Sequence, residues 1–242
     1  MRTAAMLVIG NEILSGKIQD ANTVALAALL RRLGVSLRRQ VAVLDDVETI
    51  AQEVRALSES HDLVFTSGGV GPTHDDVTID GVARAFGVEV VEDPGLAAMI
   101  RAHYGPRLLD GHLRMALVPA GSTQETTAEI TWPLTRLRNV FVLPGVPEIF
   151  RLKLRVAERL IGVDRPFVSH AVYTRMDEGA LKPLLDAVVA AHPGVEVGSY
   201  PTWTDPTYKT KLTFDGLDAG EVARARDALV ATLPEGEPQR VE

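Results

Sequence analysis

Short apolar runs alternate with helical segments along the first half of the chain, and this alternation limits the possible folds most. Ala4 to Ile9 and Leu63 to Thr66 are unbroken apolar runs of strand length. Such runs are typical of strands buried on both faces of a sheet. Thr23 to Leu33 is rich in Ala and Leu and is followed by Gly34, which predicts a helix and its C-terminal cap. Val35 to Leu44 has extended character and predicts the second strand.

Two further helices complete the alternation. Asp45 with Glu48 resembles a capping pair, and apolar residues then recur at helical spacing, at Ile50, Val54 and Leu57. Thr78 is a suitable cap for a helix that Gly87 closes. The order predicts an α/β domain of three layers, with a mostly parallel sheet between two layers of helices. Ligands are expected at the carboxyl ends of the strands of such a sheet.

The pattern changes at about Arg165, so we expect domains at residues 1–164 and 165–242. The first should end with a helix at Pro94 to His103, a strand at Arg138 to Leu143 and a helix at Pro147 to Ile161. The second is predicted to be a small α+β domain of order βαββα. Its elements are Phe167 to Thr174, Glu178 to Ala191, Val195 to Tyr200, Tyr208 to Phe214 and Ala219 to Leu233. We expect Pro234 to Glu242 to be a polar tail prone to fraying.

Composition narrows the classes of function. The chain contains no cysteine, which excludes disulfides and thiolate metal sites and fits a reducing compartment. Its net charge of -7 is opposite to the charge that binding of a phosphate backbone requires, so we expect no nucleic-acid partner. No apolar stretch approaches the length of a membrane span, so we expect no membrane association and a cytoplasmic location.

A glycine-rich loop directly after the strand at Leu63 to Thr66 is the main candidate site. Gly68, Gly69 and Gly71 allow backbone N–H groups to turn towards an anion, and the following helix start adds partial positive charge. The predicted phosphate-binding residues are Gly68, Gly69, Gly71, Pro72, Thr73 and Thr78. The alternative is a tight turn that only reverses the chain.

Two adjacent carboxylates follow the glycine loop. Asp75 and Asp76 would repel a bound phosphate unless a cation lay between them, so they indicate a divalent metal ion. The alternative is charge complementarity with the start of the next helix. His74, between loop and carboxylates, is a candidate ligand contact or a loop hydrogen-bonder.

Several common sites are excluded by spacing. The loop lacks the third glycine of the dinucleotide fingerprint, and no Gly-Lys-Ser/Thr follows a glycine run. The six histidines show no zinc-site spacing, and no Gly-x-Ser-x-Gly sequence occurs.

Other loops supply further candidates. Glu12 is a candidate metal ligand or general base. Asn22 is either a helix cap or a ligand contact. Pro144 and Gly145 form a turn at the end of a strand, and Glu148 could reach a ligand from the next helix.

Four ordered motifs carry a resemblance to a known family. They are Gly10-Asn11-Glu12-Ile13-Leu14-Ser15-Gly16, Asp45-Asp46, the run from Gly68 to Thr78, and Leu143-Pro144-Gly145-Val146-Pro147-Glu148. They resemble competence/damage-inducible protein A (CinA), a member of the molybdopterin-binding (MoaB/Mog-like) superfamily. Arg114-Met115-Ala116, Trp132-Pro133, Arg138-Asn139-Val140 and Gly198-Ser199-Tyr200-Pro201 are more similar to the molybdopterin-binding-like domain of FAD synthases, and the second domain resembles the small KH-like domain of CinA proteins.

The resemblance implies a function and an assembly. In the superfamily, two aspartates on facing loops support a metal ion and adenylylated or pyrophosphate ligands, and the matching motifs place them at Asp45 and Asp76. We therefore expect a metal-dependent pyrophosphatase of ADP-ribose-like or FAD-like nucleotides, with Asp45, Asp76 and Glu12 as its catalytic residues. The alternatives are a non-catalytic module that binds a nucleotide or pterin-like phosphorylated ligand, and adenylyl transfer onto molybdopterin. A homodimer or higher homo-oligomer is also expected.

Overall fold

The computed structural model describes residues 1–242 and divides them into two units, Met1–Asp164 and Arg165–Glu242. The first half of the first unit contains β1 (Arg2–Ile9), α1 (Asn11–Leu14), α2 (Asn22–Arg32), β2 (Val35–Val43), α3 (Val47–Ser60), β3 (Leu63–Ser67) and α4 (Thr78–Phe86). Its second half contains β4 (Val90–Glu92), α5 (Pro94–Tyr104), α6 (Asp110–Leu113), β5 (Leu117–Pro119), β6 (Thr123–Glu125), β7 (Leu134–Leu137), β8 (Val140–Leu143) and α7 (Pro147–Ile161). Short 3₁₀ turns occupy Gly105–Arg107 and Arg114–Ala116.

A six-stranded sheet in the order β2-β1-β3-β8-β7-β6 forms the centre of the first unit. β2, β1, β3 and β8 run parallel, and β7 and β6 continue the sheet antiparallel. The prediction of a mostly parallel α/β sheet is thus confirmed. The carboxyl ends of β1, β3 and β8 lie side by side, which brings the loops that follow them to one edge.

Both faces of the sheet are buried. Successive residues of β1 point to opposite sides of the sheet, and all residues from Ala4 to Ile9 are buried. Met6 packs in one core with Leu26 of α2 and Phe150 of α7. Leu7 packs in a second core with Ile50 of α3 and Val82 of α4. This two-sided burial explains the uninterrupted apolar sequence of β1.

The second unit contains β9 (Val168–Thr174), α8 (Glu178–Ala191), β10 (Glu196–Pro201), β11 (Thr210–Gly216), α9 (Ala219–Val230) and β12 (Arg240–Val241). Its antiparallel sheet has the order β10-β11-β9-β12 and its own core. The expectation of a frayed tail is wrong. β12 pairs with β9, and Glu242 exchanges backbone hydrogen bonds of 2.8 Å with Ala171.

Three local predictions also need correction. The cap of α3 is Asp46, which accepts a hydrogen bond from the Thr49 amide at 2.8 Å, rather than Asp45. Thr78 is the first helical residue of α4, and its side chain makes no capping bond. The strand predicted from Arg138 begins at Val140, because Arg138 has a left-handed backbone (φ 53°) that turns the chain between β7 and β8.

None of the helices is both long and apolar enough to cross a membrane.

Candidate functional site

A cavity of about 670 Å³ opens in the first unit at the carboxyl end of the sheet. Its volume is in the range of small-molecule binding sites. Of the residues predicted from the sequence, it is lined by Glu12, Gly68, Gly69, Gly71, Asp76, Pro144 and Gly145. The predicted residues that do not line it are Asn22, Asp45, Pro72, Thr73, His74, Asp75, Thr78 and Glu148.

The glycine loop reaches the cavity through two left-handed backbone conformations. Gly68 has φ 110° and Gly69 has φ 63°, and L side chains rarely adopt either value. A Cβ on Gly68 would lie 2.0 Å from the carbonyl oxygen of Ile9, and one on Gly69 would lie 2.4 Å from Thr78 Oγ1. Glycine at both positions is therefore required by this packing.

Three consecutive amides of this loop have no acceptor within the protein. The N–H groups of Gly69, Val70 and Gly71 make no hydrogen bond in the chain, and all three residues line the cavity. The neighbouring Gly68 amide, by contrast, donates to the Leu143 carbonyl at 3.2 Å. Unpaired backbone donors clustered at a concave surface are suited to an anion.

Thr78 holds the loop from behind. It is fully buried, its Oγ1 donates to the Gly68 carbonyl at 2.8 Å, and its amide donates to the Gly69 carbonyl at 2.9 Å. These bonds pair both loop carbonyls with Thr78, which does not line the cavity. Thr78 therefore supports the loop, and its direct contact with phosphate stays a prediction.

Thr73 organises the two carboxylates after the loop. Its amide donates to Asp76 Oδ2 at 2.8 Å, and its hydroxyl lies within hydrogen-bond distance of both Asp75 and Asp76. The hydroxyl hydrogen bond, together with the Asp75 amide, lowers the pKa of the Asp75 carboxyl. Asp76 faces the cavity, whereas Asp75 lies outside it beside the exposed His74.

The first two loops are joined by a pair of polar residues. The Asn11 amide donates to Asp45 Oδ2 at 2.8 Å, and the Asp45 amide donates to Asn11 Oδ1 at 3.4 Å. The Asp45 carboxylate thus connects the loop after β1 to the loop after β2. A catalytic role for Asp45 stays a prediction. Glu12 lines the cavity, with its carboxylate folded back against Gly10.

Asn22 connects three elements beneath the site. Its side-chain amide donates to Ser67 Oγ and to the Gly145 carbonyl, both at 2.8 Å, and it is 5% exposed. The cap of α2 is supplied instead by Asp20, which accepts from the amides of Asn22 and Thr23. Asn22 therefore fixes the loop after β8 against the end of β3.

The remaining wall of the cavity was not predicted as a site. It consists of Asp80, His103, Tyr104, Arg114, Trp132 and Lys153, among other residues. His103 and Trp132 meet edge to face with ring centroids 6.1 Å apart. These residues come from α4, α5, α7 and two connecting segments, so only the tertiary structure brings them together. The motifs Arg114-Met115-Ala116 and Trp132-Pro133 were the one signal in the sequence for this wall.

No three His, Asp or Glu side chains gather into a complete metal site. A magnesium-like ion, however, is commonly bound by one or two carboxylates together with phosphate oxygens of the ligand. Asp76 lines the cavity beside the unpaired loop amides, so this carboxylate and a bound phosphate would form a donor set of this kind, and Glu12 lines the same cavity.

Comparison with known proteins identifies the family. A family model described as "Probable molybdopterin binding domain" matches residues 5–160. The chain belongs to this molybdopterin-binding family. A second model, "FAD synthase, middle domain", matches residues 166–242. The resemblance to CinA-like and molybdopterin-binding proteins and that to FAD synthase are confirmed. The likeness of the second unit to the KH-like domain of CinA proteins stays a prediction.

Individual relatives are consistent with membership of the molybdopterin-binding family. A "Probable FAD synthase" of Caenorhabditis elegans is 33% identical over 97% of this chain and 50% of its own length. A protein of Archaeoglobus fulgidus is 34% identical over 91% of this chain and 93% of its own length. The crystal structure of CinA from Thermoplasma acidophilum, described as of unknown function, has a TM-score of 0.61, 33% identity, and covers 66% of this chain and 98% of its own. The chain spans about half the length of its FAD synthase relatives.

Proposed function

We propose that the first unit binds a nucleotide pyrophosphate of the ADP-ribose or FAD type and hydrolyses its P–O–P linkage with a divalent metal ion. The observation that carries this proposal is the set of three unpaired amides at Gly69, Val70 and Gly71, which share one cavity with the Asp76 carboxylate. The relatives named FAD synthase support a nucleotide as the ligand class.

Different residues of the cavity have different roles in this hydrolysis. The loop amides bind one phosphate and stabilise the negative charge that grows on its oxygens as water attacks phosphorus. Asp76 would hold the metal ion, which neutralises phosphate charge and polarises water when bound. Glu12 accepts a proton from the attacking water, and the bond from phosphorus to the bridging oxygen breaks, which releases two monophosphates.

The aromatic wall suits the rest of such a ligand. Trp132 lines the same cavity as the loop, and its ring can stack on an adenine or a flavin, whereas one face of the Tyr104 ring is already stacked on His112. A substrate with one planar base and a pyrophosphate would thus contact both Trp132 and the loop amides.

A panel of divalent metals against ADP-ribose, FAD and NAD tests the proposal, with product monophosphates measured by chromatography. We expect metal-dependent release of AMP from at least one of these substrates. No hydrolysis in any combination would contradict the proposal.

A second candidate is a module that holds a phosphorylated nucleotide or pterin without turnover. It is favoured by Asp45 and Asp75, which lie outside the cavity and leave Asp76 and Glu12 as the predicted catalytic carboxylates within it. Ligand binding without product in the same panel would support this candidate. Adenylyl transfer onto molybdopterin is distinguished by its product, an adenylylated pterin.

A further inference from the structure

Lys153 is a cavity residue that the proposed hydrolysis does not use. It lies on α7 one turn after Ile149, and both side chains line the cavity. Phe150 and Leu154, on the adjoining face of the helix, are buried in the core. The core therefore fixes the rotation of α7, and this rotation presents Lys153 to the cavity.

The Lys153 ammonium has no carboxylate partner. Its hydrogen bond goes to the Pro133 carbonyl at 2.5 Å, and no Asp or Glu forms an ion pair with it. By comparison, Lys182 on α8 pairs with Asp186 at 2.6 Å. An ammonium has three donors, so two remain for a ligand in the cavity.

The surroundings of Lys153 make an anionic partner favourable. The side chain is half-buried, and desolvation by burial lowers its pKa to about 8. A desolvated charge without a counter-ion is costly, and a bound anion offsets that cost. Arg114 lines the same cavity and makes no ion pair either, so two unpaired cations face this space.

We infer that Lys153 binds a second phosphate of the ligand whose first phosphate is bound by the Gly69, Val70 and Gly71 amides, so that the cavity selects diphosphates over monophosphates. This inference rests on the proposed ligand class, but it does not require turnover. Two separate anion-binding elements in one cavity, the loop amides and the Lys153 ammonium, are its basis.

Calorimetry with two probes tests this inference on the full chain in the presence of Mg²⁺. The probes are α,β-methylene-ADP, a diphosphate that cannot be hydrolysed at its bridge, and AMP. The variants are Lys153→Met, which removes the charge and keeps the chain length, and Lys153→Arg, which keeps the charge. Lys182→Met, in the second unit, controls for the loss of one positive charge.

We expect Lys153→Met to weaken binding of the diphosphate by about ten- to a hundredfold, as expected for loss of a charged hydrogen bond, and binding of AMP by less than about threefold. Lys153→Arg should retain most of the preference, and Lys182→Met all of it. If Lys153→Met weakens the binding of both probes equally, or of neither probe, the inference is overturned. The proposed hydrolysis would still be judged by its own assay. Failure of the wild type to bind either probe would overturn both proposals.

The pH dependence of binding supplies a second readout. Lys153 is charged below about pH 8, so affinity for the diphosphate should fall as the pH rises through this value. The other titratable groups of the cavity are Glu12, Asp76, Asp80, His103, Tyr104 and Arg114. Lys153→Arg keeps all of them and should abolish the step, so a step that persists in this variant would refute its assignment to Lys153.

Discussion

Asp76 combines two properties that the other loop carboxylate lacks. It faces the cavity, and the amide and hydroxyl of Thr73 fix its orientation. Asp75 shares the Thr73 hydroxyl but lies outside the cavity. A single hydroxyl proton can be donated to only one of the two at a time, so the Thr73 amide is what keeps Asp76 in place.

Asp76→Asn should separate a catalytic role from a structural one. If Asp76 serves metal-assisted hydrolysis, turnover should fall by about two or more orders of magnitude. The free energy of unfolding should change by about 1 kcal/mol or less, because Asn can still accept the Thr73 amide. Turnover and melting temperature measured on one preparation distinguish the catalytic role from the structural one. Asp186→Asn is the control, because it removes one carboxylate charge in the second unit. A stable variant with full activity would remove Asp76 from the mechanism.

At the level of elements, the site depends on how closely the ends of the strands β3 and β8 approach each other. A Cβ on Gly145, after β8, would lie 3.3 Å from the Gly68 Cα atom after β3. Asn22, at the start of α2, donates hydrogen bonds to both of these segments. One buried amide thus sets the spacing between the glycine loop and the turn at Pro144.

Asn22→Ala should destabilise the fold by about 1–3 kcal/mol, since it leaves the Gly145 carbonyl without its side-chain donor and removes one partner of Ser67. Urea denaturation measures this change. Gln40→Ala is the control, because Gln40 makes one exposed hydrogen bond, to Asp20, and its loss should cost less than about 0.5 kcal/mol. Equal stability of the Asn22 variant and wild type would refute the linking role.

The sequence predicted those elements whose patterns are long. β1 and α7 were expected within two residues of their observed bounds, because a buried strand and an amphipathic helix leave clear apolar patterns. The three-residue strands β4, β5 and β6 were not predicted, since so few residues carry no recognisable periodicity. The strand β12 was missed because its two residues are ordered by pairing with β9, which is distant in sequence.

For the candidate site, local sequence indicated the loops but not the walls. The glycine loop could be recognised because its special residues are consecutive. Lys153 donates to the carbonyl of Pro133, the residue after Trp132, and nothing in their separation along the chain predicts this bond. Likewise, the exclusion of Asp45 from the cavity follows from its bond to Asn11, a contact across 34 positions.

At the level of the whole molecule, the oligomeric state stays a prediction. We expect a homodimer or higher homo-oligomer, based on the family and on the small core of the second unit. Light scattering at several concentrations measures the mass directly. A mass of 26.1 kDa throughout would show a monomer and contradict this expectation.

The two units should be separable, because each has a hydrophobic core of its own. Phe65 and Phe150 belong to a core of the first unit, whereas Phe214 belongs to that of the second. Every residue that lines the cavity lies within Met1–Asp164. A chain ending at Asp164 should therefore fold cooperatively and bind α,β-methylene-ADP within about threefold of the full chain. Thermal unfolding and calorimetry on this fragment provide the measurement. A folded fragment that has lost binding would show that residues 165–242 contribute to the site, and the first unit alone would then not account for the proposed function.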